Sequence, residues 1–143
     1  VCGLQKYAGQ VVRQRGSSPK LQVFNTALMG AIAALDGFDL ERLRATPELW
    51  GRITESAVGA ELLARHLEHS SLQPRIHYWR EGANEVDYVL RYRGELFAFE
   101  VKSGIHQGNV KGLDAFCKLN PACRPLVLGT DGLPLQGWFE GDS

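Results

Sequence analysis

The sequence predicts an α/β domain, and three observations carry that expectation. A long segment from Gly51 has helical periodicity, the stretch from Arg75 to Lys102 divides into three strand-like runs, and a second helix leads into a short apolar strand. With 143 residues, the chain suits one compact domain rather than two substantial ones. A hydrophobic content of 44% supports a core, and 22% charged residues keep it soluble. Lys plus Arg and Asp plus Glu both count 16, which excludes a basic nucleic-acid-binding arm or tail but not a local basic rim. No apolar run approaches the roughly 18 residues of a membrane span, and nothing resembles a signal peptide. Cys2, Cys117 and Cys123 form no secreted-type disulfide framework, so a cytoplasmic location and no membrane partner are expected.

The chain opens on Val1 and reads as a piece of something longer. No GxxxxGK[ST] phosphate loop occurs, so no nucleotide site is expected within it. Arg13 to Lys20 reads as a polar link with a turn. Phe24, Leu28, Ile32 and Leu35 then recur at helical spacing, with Asn25 or Thr26 as the cap, predicting a packing helix of about ten residues. Gly37 and Pro47 punctuate a mixed segment expected to hold loops around a short turn of helix. Residues 1–50 are accordingly taken as an N-terminal linker and helical extension packed on a core of residues 51–143.

Within Gly51 to Ser70, Glu61, Arg65 and Glu68 fall on one polar arc of the helix. Glu55 falls on the other side, between Val58 and Leu62, with Gly59 a turn further on. A missing side chain at Gly59 lets another backbone approach closely. A carboxylate facing a sheet must lie near the solvent edge, be paired, be protonated, or bind a metal. Alternatively, Glu55 is a helix-start carboxylate favoured by the helix dipole, with Thr54 or Ser56 near the first turn.

The three strands are predicted at Arg75 to Arg80, Glu85 to Tyr92 and Glu95 to Lys102, with breaks at Gly82 to Asn84 and at Arg93-Gly94. In the middle strand, alternation puts Val86, Tyr88, Leu90 and Tyr92 on one face and Asp87 and Val89 on the other. In the third, Phe97, Phe99 and Val101 oppose Leu96, Ala98, Glu100 and Lys102. If Arg93 and Gly94 are a two-residue turn, paired residues have numbers summing to 187. Asp87 then stands across from Glu100, and Glu85 across from Lys102.

Opposed carboxylates repel, which a divalent cation would offset. Asp87, Glu100 and the Val101 backbone carbonyl offer oxygen ligands suited to Mg2+ or Mn2+, and Lys102 can stabilise charge developing on a phosphate. The alternative is a surface hairpin with ordinary Glu–Lys pairing.

The order of helical Glu55, Asp87, and then Glu100-Val101-Lys102 resembles the PD-(D/E)XK nuclease-like superfamily. The resemblance implies a restriction-endonuclease-like αβββαβ core with a mixed central sheet. Glu55 matches the first-helix acid, Asp87 the metal-binding aspartate, and Glu100 and Lys102 the ExK pair, making these four the candidate catalytic residues and adding Glu55 to the metal ligands. The helix in VKGLDAFCKLN and the strand in RPLVLGT continue the order. A closer resemblance covers nearly the whole chain. SSPKLQVFNTALMGAI, GRITESAVGAELLARHL and HYWREGANEVDYVLRYRGELFAFEVKSG look like the C-terminal region of a bacterial and archaeal family of predicted AAA-type ATPases. Ser17 to Lys20 matches the start of that domain. The resemblance places ATP binding in an ATPase portion outside these residues.

Other residues receive plainer readings. His66 and His69 suit a solvated helix end, and Cys117 a core position with no zinc partner at Cys123. Gly108 and Asn109 suit capping of the second helix, and Tyr78 and Trp79 suit the two faces of the sheet. Gln107, Lys111 and Arg52 are the candidate nucleic-acid contacts, within a phosphate rim that Arg75, Arg80, Arg91 and Arg93 would extend. The leading functional expectation is a metal-dependent phosphodiester hydrolase acting on DNA. A catalytically inactive nucleic-acid-binding or regulatory domain and a protein-interaction or oligomerisation module are the alternatives. DNA, an ATPase domain in the same chain and a second copy are the partners these readings carry.

Overall fold

The computed structural model describes residues 2–8, 18–69, 76–104, 110–130 and 132–140, with side chains excluded at 66–69. Six strands form one mixed sheet: β1 (Cys2–Lys6), β2 (Lys20–Gln22), β3 (Ile76–Glu81), β4 (Asn84–Tyr92), β5 (Glu95–Lys102) and β6 (Cys123–Gly129). Their spatial order is β2-β1-β3-β4-β5-β6, with β1–β3 and β5–β6 parallel and the other pairs antiparallel. Among the described residues the helices are α1 (Thr26–Leu35), α2 (Leu40–Arg44), α3 (Pro47–His69), α4 (Lys111–Leu119) and α5 (Leu135–Glu140). The predicted helix, three strands, helix and strand are thus α3, β3, β4, β5, α4 and β6. The strands β1 and β2, within the first 50 residues, and α5 have no counterpart in the sequence reading.

The sheet lies between two helical layers. On one face, Val58, Leu62 and Leu63 of α3 pack with Ile76, Tyr78, Tyr88, Leu90, Phe99 and Leu128, and Trp138 of α5 joins the edge. On the other, Leu113 and Phe116 of α4 pack with Trp79, Val86, Val89, Leu96 and Ala98. Tyr78 and Trp79 do occupy opposite faces. Burying both faces of the central strands removes far more apolar surface from water than one helix could cover.

The β4–β5 hairpin keeps the predicted register, because all five pairs from Tyr88↔Phe99 to Tyr92↔Glu95 sum to 187. Its turn residues Arg93 and Gly94 both have positive φ, 49° and 85°, which matches the right-handed twist of the strands they join. The β3–β4 pairing departs from the predicted alternation. Its register shifts between His77 and Trp79, leaving Asp87 and Tyr88 together opposite Tyr78. Val86 consequently joins the α4-side cluster while Tyr88 joins the α3-side cluster, instead of sharing a face.

Two helical expectations also change. α3 starts at Pro47, where a missing N–H is harmless at a helix start, four residues before the predicted beginning at Gly51. Asn25 caps α1 as expected, its side chain accepting from the Ala27 N–H at 3.0 Å. The apolar stripe of α1 is not core, however. Phe24, Leu28, Ile32 and Leu35 are exposed, and α1 buries no residue. Its spacing identified a helix, but periodicity alone does not say what covers the apolar face.

Candidate functional site

The site forms where β4 begins and β5 ends, which antiparallel pairing brings to the same end of the sheet. α3 crosses this end. A side chain at Gly51 would come within 3.5 Å of the Ser103 hydroxyl, one residue past Lys102. With α3 starting at Pro47, the first-turn acid is Glu48, and Glu55 lies two turns in. The helix-start explanation for Glu55 therefore fails, since the dipole acts within the first turn. Thr54 is likewise no cap. Its hydroxyl donates back to the Trp50 carbonyl at 2.8 Å.

Glu55 instead meets a residue that the sequence reading left in the polar link. Lys20 Nζ forms an ion pair with Glu55 Oε1 and lies 3.5 Å from both Glu85 Oε1 and Asp87 Oδ1. Lys20 reaches them because β2 alternates: Lys20 and Gln22 share a face, and Leu21 points away into solvent. Gln22 is fully buried and fixes this strand. Its amide nitrogen donates to the Ser56 carbonyl at 2.8 Å, and its Oε1 lies 2.8 Å from the Tyr88 hydroxyl. That hydroxyl is also 2.8 Å from the Glu55 carbonyl, so its single proton serves one acceptor at a time. The absent side chain at Gly59 makes room for this cluster. A Cβ there would overlap Tyr88 Oη and Gln22 Oε1 and lie 2.6 Å from Tyr88 Cζ. Side chains, rather than another backbone, make the close approach foreseen for this glycine. The signal for Lys20 was its alternation with Gln22 ahead of the capped helix, but a three-residue strand is too short for alternation to stand out.

Asp87 sits at the irregularity in β4. Its Oδ2 accepts the Val101 N–H at 2.9 Å, and its Oδ1 faces Lys20. Asp87 and Glu100 are next in line after the last regular pair, Tyr88↔Phe99. On β5, Lys102 Nζ donates to Glu100 Oε1 at 2.6 Å, as expected of residues two apart on one face. Glu100 Oε2 is buried with no hydrogen-bond partner among the described residues. Glu55, Asp87 and Glu100 expose only 27%, 16% and 13% of their side chains, so their charges need compensation from within the protein or from a ligand. Among the described residues, no three Asp, Glu, His or Cys side chains stand close enough to hold a metal ion.

Burial pushes the Glu100 carboxyl up to about 7, and the charge of Asp87 adds to the rise, against the pull of Lys102. Burial and Asp87 also raise Glu55, while Lys20 draws it back. Burial opposes the charge on Lys20, but Asp87 and Glu55 outweigh it and hold the ammonium above its ordinary value. Glu85 has an additional partner, Arg80, whose guanidinium donates to its Oε2 at 2.6 Å. Lys20, Arg80, Ser18, Pro19 and Tyr78 line a small open pocket beside the cluster.

The expected nucleic-acid contacts are only partly gathered. Arg52 is exposed on α3 one turn before Glu55, and Lys111 is exposed at the first position of α4. Gln107, His106, Gly108, Asn109, Arg75 and Ser17 lie outside the described residues, as do the side chains of His66 and His69. The arginine rim does not form one surface. Arg93 occupies the hairpin turn at the far end of the sheet, and Arg91 near that end contacts the Tyr7 hydroxyl at 3.2 Å. Cys117 is half-buried rather than core, and its thiol meets that of Cys123. Burial and that contact push Cys123 up to about 12.

The fold and site together define an α/β domain with a half-buried cluster of carboxylates and lysines at one end of a mixed sheet. The chain belongs to the DUF4143 family, a domain of unknown function, whose family model matches residues 50–137. That domain is known as a C-terminal domain of AAA-type ATPases. No curated protein and no solved structure matches the chain. No helix among the described residues is long and apolar enough to cross a membrane.

Proposed function

We propose that this chain is a cytoplasmic, metal-dependent phosphodiester hydrolase domain with a restriction-endonuclease-like core, acting on DNA as the C-terminal part of an AAA-type ATPase. One observation carries the reading: among the described residues Glu100 Oε2 is buried without a hydrogen-bond partner, near the negative charges of Asp87 and Glu55. An oxygen acceptor desolvated among like charges is costly unless a cation or proton completes it. The donor set is all oxygen, which fits Mg2+ or Mn2+.

In this reading Asp87, Glu100 and the Val101 carbonyl would hold the ion, with Glu55 adding negative charge from α3. A divalent ion bound there would supply Lewis-acid polarisation of a phosphate oxygen. Lys102, tied to Glu100, keeps a compact ammonium beside the reacting phosphate, where it compensates charge that grows in the transition state. Arg52 and Lys111 serve as outer phosphate contacts.

A second reading, a non-catalytic protein-interaction module, draws on the exposed apolar stripe of α1. Manganese titration calorimetry and single-turnover cleavage of labelled single- and double-stranded DNA separate the two. The hydrolase reading expects metal binding, metal-dependent cleavage, and loss of about 100-fold or more of the rate in Lys102→Ala with metal affinity largely kept. Equal cleavage by wild type and Lys102→Ala rejects the role of Lys102, and absence of metal binding rejects the reading itself.

A further inference from the structure

We infer that Lys20 is a resident cation of the carboxylate cluster, competing with a divalent ion for Glu55 and Asp87 and moving aside when that ion binds. The inference rests on the metal-binding reading above and deepens it by naming what the ion must displace. Its basis is geometric. One ammonium contacts Glu55 and lies within 3.5 Å of both Glu85 and Asp87, which are acids from three separate positions on α3 and β4. A lysine is a compact point charge, so among the protein's cationic side chains it comes nearest to a small metal ion in shape.

Charge accounting supports this. The cluster gathers four carboxyl groups, Glu55, Glu85, Asp87 and Glu100. Lys20 serves the first three, Arg80 also serves Glu85, and Lys102 serves Glu100. Adding a divalent ion while Lys20 stays in place would set two cations against the same oxygens. With the lysine present, Glu55, Glu85 and Asp87 share its ammonium while Glu100 pairs with Lys102, and no three acids form a metal cage among the described residues.

Lys20 also has somewhere to go. It lines the open pocket shared with Ser18, Pro19, Tyr78 and Arg80, so its flexible stem can carry the ammonium outward without unfolding the strand. The strand itself stays anchored through Gln22, whose contacts to Ser56 and Tyr88 do not involve Lys20. A swung-out lysine beside Arg80 would face an incoming phosphate, converting a charge that closes the site into one that receives substrate.

A purely structural role, in which Lys20 only ties β2 to α3 and β4, makes a different prediction. Loss of the lysine would then weaken the fold and leave metal affinity unchanged or reduced. Titration of Mn2+ into wild type, Lys20→Met, Lys20→Gln and Lys20→Arg by calorimetry distinguishes the two, with thermal melts of each protein in chelator and in Mn2+. Both neutral variants are expected to bind Mn2+ about tenfold more tightly than wild type or better, the scale of one close charge pair. They are also expected to melt lower in chelator and to recover in Mn2+. Lys20→Arg retains the charge and should bind Mn2+ no more tightly than wild type. Metal binding by wild type with equal or weaker affinity in both neutral variants overturns the inference and leaves the hydrolase reading intact. Tight binding by Lys20→Arg equal to that of the neutral variants also overturns it, because charge would then not be the competing factor. If neither wild type nor any variant binds Mn2+, the metal reading falls and this inference falls with it.

Discussion

Glu100 carries the sharpest pH signature at the scale of single residues. Burial first, and the charge of Asp87 next, raise its carboxyl from an ordinary value of 4.5 to about 7. A raised folded-state value means that the native protein holds a proton which the unfolded chain releases. The resulting stability is fully present below about 4.5 and is lost as pH rises through about 7. Glu100→Gln removes the titration. Denaturant unfolding in chelator should therefore show wild type losing stability relative to Glu100→Gln between pH 5 and 8, by at most about 3 kcal/mol. Lost pairing with Lys102 offsets part of this gain. Parallel wild-type and variant profiles across that window would mean Glu100 titrates alike folded and unfolded. In Mn2+, the variant is expected to lose most of its metal affinity while remaining folded.

The sequence made the central hairpin legible among the elements, because alternation, turn length and register all constrain one another. β5 and the constant sum of 187 followed from the pattern, even though Arg93 pays for a positive φ that asparagine or glycine adopts more readily. The same logic failed at Asp87. One extra residue in β4 changes which face Val86 takes, and no local pattern announces a bulge. Lys20 was missed for a different reason: its role depends on contacts across 35, 65 and 67 residues of chain, to Glu55, Glu85 and Asp87. Spacing and resemblance single out Glu55, Asp87, Glu100 and Lys102, whereas neither points to the ammonium that meets Glu55, Glu85 and Asp87. Gly59 tests the connection between these elements. Gly59→Ala should destabilise by about 1–3 kcal/mol through overpacking against Tyr88 and Gln22. Gln22→Ala vacates part of that space, so the double variant should cost measurably less than the two single changes together. Strict additivity in denaturant melts would show that the alanine is accommodated elsewhere.

Basic and acidic residues balance in number over the whole chain, and this limits how the domain can hold a nucleic acid. The 16 basic and 16 acidic residues balance, and several of the arginines are already engaged. Arg80 pairs with Glu85, Arg65 with Glu61 and Arg124 with Glu95. Arg93 lies at the hairpin turn, a strand's length from Glu100, and cannot share a short stretch of phosphates with groups at the carboxylate end. Among the described residues, Arg52 and Lys111 are exposed and placed by their helices near the site, with Arg80 beside the pocket. Two or three phosphate contacts give a slope of about −2 to −3 in log affinity against log salt. Between about 50 and 200 mM salt, duplex affinity should then fall roughly 10- to 40-fold, far less than for a protein with a concentrated basic face. Fluorescence anisotropy with a labelled duplex in Ca2+ measures this without turnover, and Lys111→Ala should flatten the slope by about 0.9. A wild-type slope of about −6 or steeper would require six or more simultaneous phosphate contacts, more than the described cations supply at this end of the sheet.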